Sequence, residues 1–321
     1  MLRIMFAFAG LVVSSHAALV PFQSYVGKYG LSSDGFGSTG NNGVLTLNAP
    51  LGSTVKAAYL YGAYWASDPN ISATLNGTAV AFGAAVPNPS VASGYIGSRR
   101  ADVTSIVAPV INGGAGGAYN FNISEVGANY DGSALVLIYE NPALAESSIG
   151  LLDGFSAVGG DSTSINFAQP LDPTAAGFFA EMRLGISFSC CNQQSTVAVN
   201  GTIITNTSGN FDDGLQQANG SLITMGGDDD PFSAFLPAYA NDKERYDLAP
   251  YITVGDTSIA VRTNNPSSDD NIFLAAFWIR GRAGFDEPPP PPDGDVPEPS
   301  TFVLMGAGLV AVGYARRRRL S

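Results

Sequence analysis

The sequence predicts an all-β protein, two tandem antiparallel β-sandwiches of jelly-roll type over 24–170 and 171–284, and three observations lead there. Charged residues are only 13% of the chain, lysine is scarce, and Gly, Ser, Thr and Asn abound, a composition that disfavours long helices and suits short strands joined by turns. The two halves repeat one pattern. Ala57 to Val80 (AAYLYGAYWASDPNISATLNGTAV) parallels Ala180 to Ile204 (AEMRLGISFSCCNQQSTVAVNGTII), so that Asn76-Gly77 corresponds to Asn200-Gly201. Arg100-Ala101-Asp102-Val103 parallels Arg245-Tyr246-Asp247-Leu248 with one residue of slip, and Asp131 to Tyr139 parallels Asp270 to Ile279, all in the same order. Third, Ala134 to Tyr139 and Ile272 to Ile279 are unbroken apolar runs of the kind found in strands buried on both faces. With 45% apolar residues among 321, the chain can build real cores.

The elements follow in order. Residues 1–17 read as a secretion signal: Arg3 gives a positive start, Ile4 to Val13 is apolar, and Ser15-His16-Ala17 brings small residues to a cleavage point between Ala17 and Ala18. Phe22 to Asn48 is rich in Gly, Ser and Asn and reads as turns with a loosely held strand. Each Asn-Gly pair sits between alternating apolar residues, the signature of a two-residue hairpin turn whose central positions need positive φ. Beyond the second sandwich, 285–295 is a proline-rich linker. The run Pro288 to Pro292 can neither pair in a sheet nor continue a helix, so Asp286 to Val296 should form a semi-rigid spacer about 30 Å long at roughly 3 Å per residue.

Residues 296–321 have a different grammar. Val296-Pro297-Glu298-Pro299-Ser300 precedes an apolar stretch, 301–315, and then Arg316, Arg317, Arg318 and Arg319. About fifteen apolar residues are short for a hydrocarbon core near 30 Å, but local thinning and flanking side chains make up the difference, and the arginines hold their end in the cytoplasm. The order VPEPS, TFVLMGAGLVAVGYA, RRRR resembles the PEP-CTERM sorting signal of Gram-negative bacteria that make extracellular polysaccharide. That resemblance implies export to the cell surface or matrix and recognition of Pro297-Glu298-Pro299 by an exosortase-type membrane protease. In addition, Asp131 to Val158 (DGSALVLIYENPALAESSIGLLDGFSAV) resembles a passage of secreted surface and adhesin-like proteins, which names no activity.

Charge and missing residues bound the chemistry. Arg3 and the four terminal arginines are five of the 15 basic residues, so the chain without the signal peptide and those arginines carries about −17, ten basic residues against 27 acids. Such a surface repels phosphates and excludes a nucleic-acid partner. The one histidine, His16, leaves with the signal, which removes imidazole-based acid–base catalysis, Ser-His-Asp and Cys-His systems, and histidine-ligated zinc. Cys190 and Cys191 are adjacent and cannot form a CxxC motif; they are candidates for a vicinal disulfide at a strand end.

Carboxylates and aromatics remain. Asp228, Asp229 and Asp230, together with Asp212-Asp213 and Asp269-Asp270, are candidate Ca²⁺ ligands of turn-acid type, although no spacing matches an EF-hand loop. Glu125, Glu140 and Glu181 are candidates for a glycosidase pair. Tyr59, Tyr61, Tyr64, Trp65, Phe273, Phe277 and Trp278 would stack on sugars if they faced outward, or fill the core if inward. Together these features lead us to expect a non-enzymatic surface or matrix protein associated with extracellular polysaccharide and needing no cofactor. The alternatives are a carbohydrate-binding module with Ca²⁺ assistance and a carboxylate-only glycoside hydrolase.

Overall fold

A computed structural model describes residues 19–37, 40–88, 95–157, 159–188, 195–209, 213, 222–264 and 271–289. The first half contains β1 (Val20–Gly27), β2 (Tyr29–Phe36), β3 (Asn42–Ala49), β4 (Thr54–Tyr64), β5 (Ser72–Leu75), β6 (Thr78–Ala79), β7 (Val86–Pro87), β8 (Gly97–Asp102), the helix α1 (Thr104–Ile111), β9 (Gly117–Val126) and β10 (Tyr130–Glu140). The second contains β11 (Ser147–Asp153), β12 (Ser162–Phe167), β13 (Ala180–Ser187), β14 (Ser195–Val199), β15 (Thr202–Ser208), β16 (Thr224–Met225), β17 (Arg245–Asp247), β18 (Ser258–Asn264), β19 (Asn271–Arg280) and β20 (Ala283–Phe285). All recorded strand pairings are antiparallel, so the protein is all-β.

Four sheets result. The first inner sheet runs β2-β10-β4-β8-β7 and faces a first outer sheet, β3-β9-β5-β6. The second inner sheet runs β1-β11-β19-β13-β16, with β17 also on β13, and faces a second outer sheet, β15-β14-β18-β12-β20. Side chains decide the stacking through the two-residue period of a strand. In β10, Leu135, Leu137 and Tyr139 pack towards the first outer sheet, while Ala134, Val136 and Ile138 pack on the second inner sheet. In β4, Ala58 and Leu60 point one way and Tyr59 and Tyr61 the other. The two inner sheets are therefore buried on both faces and share a third core with Ile149, Leu151, Phe273 and Ala276. This is why β10 and β19 read as unbroken apolar runs rather than alternating ones.

The duplication persists in detail. Asn76 and Gly77 have φ of 49° and 77°, and Asn200 and Gly201 have 48° and 81°, the positive values a type I′ hairpin turn requires. In both halves the Asn side chain accepts from a neighbouring strand, from Asn122 N at 2.8 Å and from Ala260 N at 2.9 Å. Both inner strands carry a bulge near their start, Asp131 on β10 and Phe273 on β19. The extra residue lets Phe273 and Leu274 face the same core.

Three expectations need correction. The boundary drawn at 170 falls between Glu140 and Ser147, because β11 and β12 belong to the sheets of the second sandwich. The repeat is legible only from β4 and β13 onwards, so the strands before β13 carried no mark of their half. The loosely held start is instead three paired strands, and β1 crosses to the far sandwich, pairing with β11 from Val20↔Asp153 to Gly27↔Ser147. Pairing also runs past 284 into the expected linker: Asp286 N donates to Ser164 O at 2.7 Å, and Asp286 Oδ1 accepts from Ser164 N at 2.7 Å. One helix was not foreseen. The β-branched run of α1 would suit a strand, but Asp102 Oδ1 accepts from Thr104 N at 2.9 Å, and Val107 and Ile111 are buried.

Candidate functional site

The acidic turn singled out in the sequence lies where the two sandwiches meet. There β2, with its small residues Ser32, Ser33 and Gly35, runs close against Asp213 and the segment 223–230. A Cβ on Gly35 would sit 1.9 Å from Asp213 Oδ2, so only glycine admits this approach. Ser33 Oγ donates to Gly226 O at 2.7 Å, Asp228 N donates to Ser33 O at 3.0 Å, and Gly37 N donates to Asp213 O at 2.9 Å.

Behind this seam sits Arg183, only 1% exposed although it occupies an apolar strand. Its Nε meets Glu181 Oε1 at 2.6 Å, and its Nη1 meets Asp228 Oδ1 at 2.8 Å and Ser33 Oγ at 2.8 Å. Glu181 Oε1 also receives Arg245 Nε at 2.8 Å, and Arg245 Nη1 donates to Asp230 O at 2.9 Å. Asp228 Oδ2 accepts from Ser32 Oγ and from Asn48 Nδ2. Burial disfavours the Arg183 charge, but the two carboxylates together more than offset this and hold its pKa above the usual value.

The remaining acids are held differently. Burial pushes Asp34 up to about 7, with the Asp229 and Asp230 charges adding, against the N–H groups of Thr46 and Gly35. Burial also raises Asp213 well above the usual carboxylate range, and it raises Asp230 to about 6. Of the candidate Ca²⁺ ligands, Asp228 is bonded to Arg183, and Asp230 Oδ2 accepts from Gly227 N at 2.9 Å. Among the described residues no group of three or more His, Cys, Asp or Glu side chains is placed to hold a metal ion. The arrangement is a clasp between the sandwiches. Sequence reasoning missed Arg183 and Asp34; the signal for the first was a lone cation inside AEMRLGIS.

The other candidates are scattered. Glu125 is buried, accepts from Ser133 Oγ at 2.6 Å, and is raised by burial to about 8. Glu181 is occupied by the two arginines, and Glu140 is exposed at the end of β10. Tyr59, Tyr61 and Phe273 fill the core between the inner sheets, Tyr61 and Phe273 lying 5.8 Å apart, and Phe277 fills the second core. Tyr64 is buried, and half-buried Trp65 stacks on Phe188, its counterpart in the repeat, at 6.0 Å and 9°. Trp278 Nε1 donates to Tyr29 O at 3.2 Å. The aromatics singled out in the sequence are therefore mainly core residues. Ala17, Ala18, Cys190, Cys191, Asp212, Asp269, Asp270, Val296 to Ser300, the expected span 301–315 and Arg316 to Arg319 lie outside the described residues. Among the described residues, no helix is long and apolar enough to cross a membrane.

Comparison with known proteins bears on the tail. Residues 295–319 match the PEP-CTERM protein-sorting motif. The motif implies export, sorting to the cell envelope or surface, and processing by an exosortase, a membrane protease. No curated protein matches the sequence. Among solved structures, BuGH86 in complex with neoagarooctaose is 10% identical with a TM-score of 0.25, over 80% of this chain and 34% of that one. BpGH86A, a β-porphyranase of glycoside hydrolase family 86 from the gut bacterium Bacteroides plebeius, is 9% identical with a TM-score of 0.18, over 77% and 36%. The major capsid protein P2 of bacteriophage PM2 is 11% identical with a TM-score of 0.19, over 83% and 99%. The chain spans about a third of the length of the two hydrolases, and at such TM-scores none of these likenesses carries an argument.

Proposed function

We propose that this chain is a non-enzymatic surface or matrix protein, a rigid body of two jelly-roll units presented on a proline-rich stalk, with a structural or adhesive role at the extracellular polysaccharide. The observation that carries the reading is the sorting motif at 295–319, directly after the proline run 288–292. The connectivity supports the jelly-roll assignment. In each half the first, eighth, third and sixth main strands form the inner sheet and the second, seventh, fourth and fifth the outer one, counting from β2 and from β11 and leaving out the added strands β1, β7, β16 and β20. The loss of the only histidine with the signal and the separate surroundings of Glu125, Glu140 and Glu181 support a role without catalysis.

Deleting residues 296–321 tests this. The truncated protein should leave the envelope fraction for the medium or periplasm while its body melts at an unchanged temperature. An unaltered distribution between fractions would contradict it.

A further inference from the structure

The second sandwich differs from the first at one end. After its Arg-Ala-Asp strand the first half builds the eight-residue helix α1, whereas after Arg245-Tyr246-Asp247 the second makes only the three-residue turn Ala249–Tyr251. Beside that turn lies an open depression of about 530 Å³, lined by Asn200, Thr202, Tyr251, Thr253, Asp256 and Ser258. Its size falls within the range of small-ligand pockets.

Its rim carries exposed apolar side chains. Phe235 is 58% exposed, and its ring lies 6.3 Å from that of Tyr251, the two planes tilted by 33°. Leu236 and Ile203, both 47% exposed, continue the patch, joined where Leu236 N donates to Ile204 O at 2.8 Å. The segment is anchored rather than loose. Asn200 Nδ2 donates to Tyr251 O at 2.9 Å, and Asp256 Oδ2 accepts from Thr253 N at 2.8 Å. The exposed ring of Phe235 and the half-buried ring of Tyr251, beside hydroxyls, an amide and a fixed carboxylate, offer a stacking surface and hydrogen-bond partners within one ligand's reach.

Charge narrows the ligand class. The depression is lined by no Lys, Arg or His and contains Asp256, with Asp247 acting on Tyr251. Uronates, sulfates and phosphates would meet repulsion and no compensating cation. A neutral sugar ring fits: its C–H face lies on an aromatic ring while its vicinal hydroxyls donate to a carboxylate. We infer that the depression beside Tyr251, with Phe235 at its rim, binds neutral hexose units of a polysaccharide. This rests on the proposed role at the extracellular polysaccharide and names the contact.

The test is titration of the full-length chain, purified in detergent, with cello-, manno- and galacto-oligosaccharides and, separately, alginate oligosaccharides. At least one neutral series should bind saturably and alginate should not. Phe235→Ala should weaken binding by about tenfold, the scale of one lost aromatic stacking contact, with an unchanged melting temperature, and Tyr251→Ala, whose ring also packs against the second core, should weaken it at least as much. Phe235 is exposed enough that its variant folds even if Tyr251→Ala does not. Absence of binding to all three neutral series, tighter binding of alginate, or wild-type affinity in the Phe235→Ala variant would overturn the site. Those outcomes leave the localisation of tail-deleted protein untouched, so failure of the site and failure of the sorting reading are distinguishable.

Discussion

Arg183 is the residue on which the junction of the two sandwiches turns. Truncating it would strand Glu181 and Asp228, 7% and 13% exposed in their side chains, without their shared partner. Arg183→Ala should therefore cost about 3–5 kcal/mol by denaturant unfolding, the range for breaking a buried pair from one side. A loss under about 1 kcal/mol would mean that the carboxylates find other partners. Titration gives a second expectation. Asp34 and Glu125 keep their protons up to about 7 and about 8 in the fold, against 3.8 and 4.5 as ordinary values. Between these limits the folded chain binds more protons than the unfolded one, so this contribution is full below about pH 4 and is lost as pH rises through 7 to 8. Melting temperature should fall over that window. Glu125→Gln, which keeps the oxygen that accepts from Ser133, should flatten the fall at its alkaline end and change little at pH 5. Of these residues the sequence marked Glu125, Glu181 and Asp228, but it could not say what faced them, since Arg183 and Ser32 reach Asp228, and Ser133 reaches Glu125, from other strands. Asp34 was hidden in a stretch whose glycines and serines suggested looseness. They instead permit the approach of Asp213.

At the scale of elements, the strongest local signals were the most faithful. The two Asn-Gly turns adopt their left-handed geometry, and β4, β10, β13 and β19 lie where apolar runs placed them. Gly201, at φ 81° with open space around a would-be Cβ, isolates backbone conformation from packing. Gly201→Ala should thus cost about 1–2 kcal/mol in chemical denaturation, the penalty of a left-handed backbone with a side chain, and no measurable loss would mean that the turn relaxes to another type. Less was legible where tertiary contacts override local preference. The α1 segment is β-branched and contains Pro109, yet burial of Val107 and Ile111 against β4 and its neighbours favours the helix. Likewise, nothing in the residues of β1 announces a pairing with β11 more than a hundred positions on, because strand order is set by which edges remain open and not by composition.

At the scale of the molecule, two sandwiches were expected, but their union into four layers was not. Tyr59, Tyr61 and Leu151 from different halves share one core, and β1 ties the N-terminal chain to the far sheet. Calorimetry should accordingly give one cooperative transition for the body, with equal van't Hoff and calorimetric enthalpies; two resolved transitions would mean that the shared core contributes little. Of the two roles open to the aromatics singled out in the sequence, core packing is the one most of them take, while Phe235, not singled out, is exposed. The most direct measurement of the sorting reading is the intact mass of the protein recovered from its own cells. The expected result is an envelope or surface species well below 33.2 kDa, beginning at Ala18 and lacking the four terminal arginines. A cytosolic species of the full 33.2 kDa with both ends in place would contradict it.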